Sequence, residues 1–224
     1  MAISVDRVYQ KVLAIANKEQ RGYVTPQEFN LFADQAQMEI FEQYFYDLNQ
    51  FARLPAGSGE YSDITRNINE KIAMFEDSDT GTTLATDLYR LGTVIFNGRE
   101  VEEVQQDEFL YINKSPLTKP TGTRRVYVRV AGNEIDLHPS GGSNNVEYTY
   151  IRIPSKPSWG YFVVGDKALY DSSASKTTHF ELHPSEETEL VYRILKYAGL
   201  SMRRDDIARG GQGLESLQVQ QEKQ

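Results

Sequence analysis

"ELHPSEETELVYRILKYAGLS", residues 181–201, decides how the rest of the chain is read. The strand-like run before it cannot continue through Pro184, which has no amide to give to a ladder. One residue later Ser185 is placed to cap a helix. Glu186, Glu187 and Glu189 then sit at the positive end of its dipole, with Arg193 and Lys196 toward the negative end. Leu190, Val191, Ile194, Leu195 and Ala198 recur at helical spacing and form one apolar stripe. Gly199 followed by Leu200 matches a Schellman stop, with Leu200 returning to Leu195. A strand-rich stretch thus ends in a short, amphipathic helix whose stripe needs a partner.

Helices to receive that stripe are written at the other end of the chain. Val5, Val8, Tyr9, Val12, Leu13 and Ala16 have helical spacing behind a capping Ser4. The polar run Asn17–Gly22 should end that helix. In "VTPQEF", residues 24–29, Thr25 is the cap, Pro26 the first helical residue and Glu28 the third. This is a capping box, flanked by Val24 and Phe29 as a hydrophobic staple. The spacing predicts a helix to about Asn49. Phe29, Phe32, Ala33, Ala36 and Ile40 make one stripe, and Phe41, Tyr44, Phe45, Tyr46 and Leu48 widen it beyond what one neighbour covers. Two readings stand side by side: burial between elements of the same domain, or an aromatic end that meets another subunit.

Between the two helical ends the chain is mostly β. "LPAGSGEYS" (54–62) and "EDSDTGTT" (76–83) read as loops around a short helix marked by Ile64, Ile68, Ile72 and Phe75. "DLYRLGTVIF" reads as a strand closing on the Asn97-Gly98 turn. "REVEEVQQDEFLYIN" fits a short helix better than a strand. "RRVYVRV", "AGN" and "EIDLH" form a hairpin, and "NNVEYTYIRI", "WGYFVV" and "THFEL" are further strands. The expected fold class is α+β: residues 1–85 helical, 86–184 a mostly antiparallel β insertion, 185–200 a helix packing back on the helical part, and 201–224 an extended C-terminal arm. The repeated "LHPS" at 137–140 and 182–185 is local strand-exit chemistry rather than a duplication.

The arm, "SMRRDDIARGGQGLESLQVQQEKQ", is broken by Gly210, Gly211 and Gly213 and poor in apolar residues. Alone it cannot offset an ordering entropy of roughly 1–2 kcal/mol per residue. It reads either as a frayed tail or as a segment that orders on a partner. In the second case Met202, Ile207, Leu214 and Leu217 are its contact residues, as Phe41, Tyr44, Phe45 and Tyr46 are for the long helix.

Composition narrows the function classes. A net charge of −8 disfavours tight non-specific nucleic-acid binding, yet suits a wall past which DNA slides. Without cysteine there is no disulfide, thiolate catalysis or Cys-ligated zinc. The start "MAISVDRVYQ" shows no secretory leader, and no run reaches the roughly 20 apolar residues of a membrane span. His179 and His183 have HxxxH spacing but no helix to align them, and no GxSxG elbow or phosphate loop occurs. No catalytic, cofactor or metal residues are therefore assigned.

"VYQKVLAIANKEQRGYVTPQEFNLFADQAQMEIFEQYFYDLNQF" (8–51) resembles the N-terminal part of a group of tailed-bacteriophage virion proteins, including those of crAss-like and related phages. "FELHPSEETELVYRILKYAGLSMRRDDI" (180–207) resembles the C-terminal helix of the same group; together they cover about a third of the chain. The resemblance implies a neck protein similar to head-to-tail adaptors: a helical body, an inserted β part and an arm toward the portal. It implies a homo-oligomeric ring of twelve copies that binds the portal protein and further tail or neck proteins. DNA passes through without sequence-specific binding, no membrane is involved, and the subunit is made in the host cytoplasm. The alternatives are another tail, collar or minor virion protein and, in a different class, a virion-associated hydrolase with a carboxylate pair in a cleft.

Overall fold

The computed structural model describes residues 2–16, 24–52, 59–130, 133–141, 145–165, 167–173, 175–201 and 205–222. In chain order the elements are α1 (Val5–Ala16), α2 (Pro26–Ala52), α3 (Gly59–Ile72), β1 (Glu76–Thr80), β2 (Leu88–Phe96), β3 (Arg99–Glu103), α4 (Gln106–Lys114), β4 (Val126–Val130), β5 (Glu134–His138), β6 (Val146–Arg152), β7 (Tyr161–Val164), β8 (Lys167–Tyr170), α5 (Glu187–Ser201) and α6 (Asp205–Glu222). The fold class is α+β. Two compact units divide the chain: a helical unit of residues 1–74 and 154–224, and a strand unit of residues 75–153. The stretch 86–184 therefore does not stay together: the β7–β8 hairpin belongs to the helical unit. No described helix is long and apolar enough to cross a membrane.

Local sequence chemistry starts the helices. The Ser4 carbonyl accepts from Val8 N at 3.2 Å, opening α1. At α2 the capping box forms as expected: Glu28 N donates to Thr25 Oγ1 at 3.3 Å, and Thr25 N donates back to Glu28 Oε2 at 3.0 Å. α1, α2 and α6 all pack on α5, and α3 packs on α2. The core of this unit holds Val8, Val12, Phe29, Ala33, Ile40, Leu190 and Ile194. Gln37 is buried in the middle of α2, where its side chain donates to Ser155 O at 2.8 Å and accepts from Glu181 N at 3.1 Å. One buried amide thus holds two returning stretches of backbone against α2, with its own polar atoms satisfied.

The strand unit is a six-stranded sheet in the order β1-β6-β2-β3-β4-β5, antiparallel except for β3 with β4. α4 supplies the crossover that a parallel pair requires. The sheet curls shut through Thr82–Leu84, which follow β1 and pair with the start of β5. Ile135 N donates to Thr82 O and Leu84 N to Asn133 O, each at 2.8 Å. The resulting small barrel is filled by Leu84, Val94, Phe96, Val101, Tyr127, Ile135, Leu137, Val146, Tyr148 and Tyr150. Tyr148 accepts at its hydroxyl from Ala85 N (2.9 Å) and lies 3.2 Å from Asp79 Oδ2 and from Thr83 O. The expected Asn97-Gly98 turn joins β2 to β3 with φ of 49° and 73°.

Several sequence expectations are corrected. Residues 76–80 of the expected loop "EDSDTGTT" form β1, because β6 offers an edge whatever the propensity of "EDSDT". Gly59–Ser62, expected in a loop, open α3. "REVEEVQQDEFLYIN" divides into β3 and α4. "THFEL" makes only isolated bridges, Ser158 with Thr178 and Ile3 with Phe180. His183, not Ser185, caps the turn Pro184–Glu186, its Nδ1 accepting from Ser185 N at 3.3 Å. α5 runs through Gly199 to Ser201 instead of stopping there. The expected break at Asn17–Gly22 lies outside the described residues.

Candidate interaction surfaces

The largest departure from expectation is at the C-terminus. In place of an extended arm, residues 205–222 form α6, folded back on α5. The three glycines that argued against a helix include the one that makes the packing possible. A Cβ on Gly211 would lie 3.0 Å from Lys196 N and 3.1 Å from Tyr192 O, so a larger residue there would push the two backbones apart by a few tenths of an ångström. Gly210 and Gly213 meet nothing within 4 Å.

A buried charge cluster closes the same contact. Arg193, on α5, is almost fully buried. Its Nε donates to Glu189 at 2.7 Å, and its Nη1 lies 3.2 Å from Glu39 on α2 and 3.5 Å from Glu215 on α6; it also bonds Gln43. Lys196 adds a 3.1 Å pair to Glu215. Burial alone would make Arg193 easier to deprotonate, but Glu189, Glu215 and Glu39 outweigh it and hold the guanidinium charge more firmly. Burial and Glu39 together push the Tyr197 hydroxyl up. The acidic residues at the start of α5 are also paired: Glu186 with Lys71 at 2.5 Å, and Glu187 with Lys11 at 2.6 Å and with Arg7. The Glu187 carboxyl resists its burial because those two cations hold it below its ordinary range.

Of the aromatic residues expected to meet a partner, Phe41, Tyr44 and Phe45 are buried within the chain, Phe41 and Phe45 edge to face at 5.1 Å. Tyr46 is 65% exposed. On α6, Leu214 and Leu217 are exposed. Met202 and the side chain of Ile207 lie outside the described residues.

Two surfaces escaped the sequence reading. The first is the β7–β8 hairpin. Its root is fixed: Trp159 donates from its backbone to Asn30 Oδ1 (2.8 Å) and from its indole to Asp6 (2.9 Å), and stacks near Tyr161 and Tyr170 at 5.8 and 5.9 Å. Beyond the root, Phe162, Val163, Val164 and Leu169 are 45%, 64%, 56% and 45% exposed. Among the described residues no third strand joins the hairpin. The second is a cavity of about 330 Å³ in the helical unit. Its lining mixes apolar Ile40, Tyr44, Phe51, Ile64 and Ile68 with polar Asp47, Glu70, Lys71, His183, Glu186 and Glu189, and Glu70, Glu186 and Glu189 are paired with Arg66, Lys71 and Arg193.

The histidines are scattered rather than gathered: His179 accepts from Val5 N at 3.4 Å, His183 caps the turn before α5, and His138 stacks on Phe109 at 4.0 Å. Among the described residues no group of three or more His, Asp or Glu side chains is arranged to hold a metal ion. No protein-family model matches this chain, and no curated protein matches it.

Proposed function

We propose that this chain is a structural subunit of a tailed-phage virion, assembling as a homo-oligomeric ring at the portal vertex and linking the portal to the tail around the DNA channel. The observation that supports this reading is where the two phage-like stretches meet. Residues 8–51 and 180–207 are far apart in sequence, yet they supply most of α1, α2 and α5, which pack as one body. The strand unit is inserted between them. A helical body with an inserted β part is the layout the resemblance implies. α6 takes the place of the extended arm and offers Leu214 and Leu217 to a portal or a neighbour. The net charge of −8 suits a channel that DNA crosses without adhering.

The test is native mass spectrometry and electron microscopy of the purified protein, alone and mixed with the portal of the same phage. The expected result is a closed ring that binds the portal. A protein that stays monomeric and does not associate with the portal overturns the reading.

A further inference from the structure

The barrel carries a cationic recess in a chain whose net charge is −8. Where the Asn97-Gly98 turn joins β2 to β3 and β4 begins, a cavity of about 230 Å³ opens at the barrel mouth, lined among others by Phe96, Asn97, Arg99, Glu100, Thr123 and Arg125. Its charged side chains are two arginines and one glutamate, an excess of one positive charge. The neighbouring Arg124 already has Glu102 at 3.6 Å. Among the described residues, neither Arg99 nor Arg125 has a carboxylate within ion-pair distance.

Arg125 is held as a fixed donor. Its guanidinium lies over the Phe96 ring at 4.0 Å, and its Nη1 donates to Pro139 O at 2.8 Å and to Gly141 O at 2.7 Å. Those bonds use one end of the guanidinium and leave the Nε–Nη2 edge, which can fork onto the two oxygens of one acid group. Nε is closed off from solvent and donates to no described atom; a buried donor without an acceptor calls for an explanation. Arg99 is the partner of Phe96 in the β2–β3 register, which brings it to the same recess from the other strand.

Charge and size select the ligand. One monoanion brings the recess to neutrality, whereas a polyanion meets Glu100 and the negative charge of the chain. The volume falls below the roughly 300–1,000 Å³ of ordinary ligand pockets, so the recess takes a group of a few heavy atoms. A planar carboxylate matches the arginine fork.

We propose that this recess binds a single carboxylate group, held between Arg99 and the Nε–Nη2 edge of Arg125. A free carboxylic acid and the acidic side chain of a protein segment share that chemistry. The site belongs to the strand unit and does not depend on ring assembly.

The test is arginine modification of the full chain by phenylglyoxal, followed by peptide mass spectrometry, with acetate, end-blocked glutamate or inorganic phosphate added at constant ionic strength. Acetate and blocked glutamate should protect Arg99 saturably and leave Arg66, in the helical unit, reacting as before. Protection at lower concentrations of blocked glutamate identifies a protein side chain as the source, and at lower concentrations of acetate a free acid. Glu100→Gln, an exposed position, should lower the protecting concentration about fivefold, the size of one exposed charge interaction. Arg125→Lys keeps the charge but loses the fork, and should raise the concentration by at least as much. Equal slowing of Arg99 and Arg66, or a protecting concentration unchanged in both variants, overturns the site. Phosphate protecting at lower concentrations than either carboxylate overturns the choice of ligand.

Discussion

The strand unit and the helical unit treat their edges in opposite ways. The barrel closes on itself through Thr82–Leu84, and its outer strand β1 is sealed chemically. Ser78 N donates to Asp77 Oδ1 at 2.8 Å and Thr80 N to Asp79 Oδ1 at 2.7 Å, so acidic side chains occupy amides that an incoming strand would need. All five residues of β1 are exposed and three are acidic, a pattern that discourages edge-to-edge pairing. The β7–β8 hairpin carries no such protection. Its apolar side chains face solvent, and among the described residues only its root is fastened. One unit is finished as a folded object, while the other presents surfaces that suit company.

The same contrast runs through the interiors. Tyrosine hydroxyls and aromatic packing hold the barrel, whereas the helical unit holds its last helix with charges. The sharpest way to break that contrast is Arg193→Met, which leaves Glu39, Glu189 and Glu215 facing one another in a largely buried site. Loss of one partner from a buried ionic network costs about 3–5 kcal/mol. Urea unfolding followed by far-ultraviolet circular dichroism should show a loss of this size. A loss below about 1 kcal/mol would mean that packing, not charge, holds α5 and α6.

Next in size is a pair of glycine substitutions on α6. Gly211→Leu forces the α5 and α6 backbones apart and should cost about 1–3 kcal/mol, with early proteolysis of residues 205–222. Gly213→Ala meets open space and should instead stabilise by about 1 kcal/mol through helix propensity. Equal effects at the two positions would remove the close-approach explanation. In the barrel, Tyr148→Phe keeps the ring but deprives Ala85 N of its acceptor, a cost of about 1–2 kcal/mol. Hydrogen exchange at Ala85 is the local readout.

The smallest effects are set by pH. Glu187 has its pKa lowered in the folded chain by Lys11 and Arg7. Its contribution is complete above the ordinary glutamate range and is lost as pH falls through the lowered folded value. Acid should therefore weaken the helical unit first. Tyr127 is pushed up to about 12 by burial and by Glu103. Its contribution is complete below the ordinary tyrosine value of about 10 and is lost as pH rises from there through the folded value. Alkali should weaken the barrel, and also the helical unit through Tyr197, whose hydroxyl is pushed up as well. Tyrosinate absorbance of wild type against Tyr127→Phe reads the second half; helix content against pH in wild type and Glu187→Gln reads the first.

What the sequence disclosed was the chemistry that acts over a few residues. The Thr25 box, the Asn97-Gly98 turn and the hairpin of β4 and β5 follow from neighbours in the chain, and each stands where it was expected. What stayed hidden depends on partners far away. "EDSDT" becomes a strand because β6 lies beside it, and a helix with three glycines survives because Gly211 and Glu215 fit α5. The width of apolar surface on α2 was visible, but not that Phe41, Tyr44 and Phe45 would be buried within the same chain and only Tyr46 exposed. "WGYFVV" announces a strand and says nothing of whether a third strand will cover it. The cavity was equally out of reach, since its lining comes from α2, α3, the start of α5 and the turn before it.

The strand unit begins and ends on adjacent antiparallel strands, with Glu76 opposite Ile151. Strands so paired run about 5 Å apart, so the chain leaves the helical body and returns to it through a narrow doorway. A module attached in this way is a cassette. It can be lengthened, traded for a different barrel or replaced by a short turn between residues 74 and 154 without re-routing the helices. Selection can then change what the barrel touches while the helical framework stays the same.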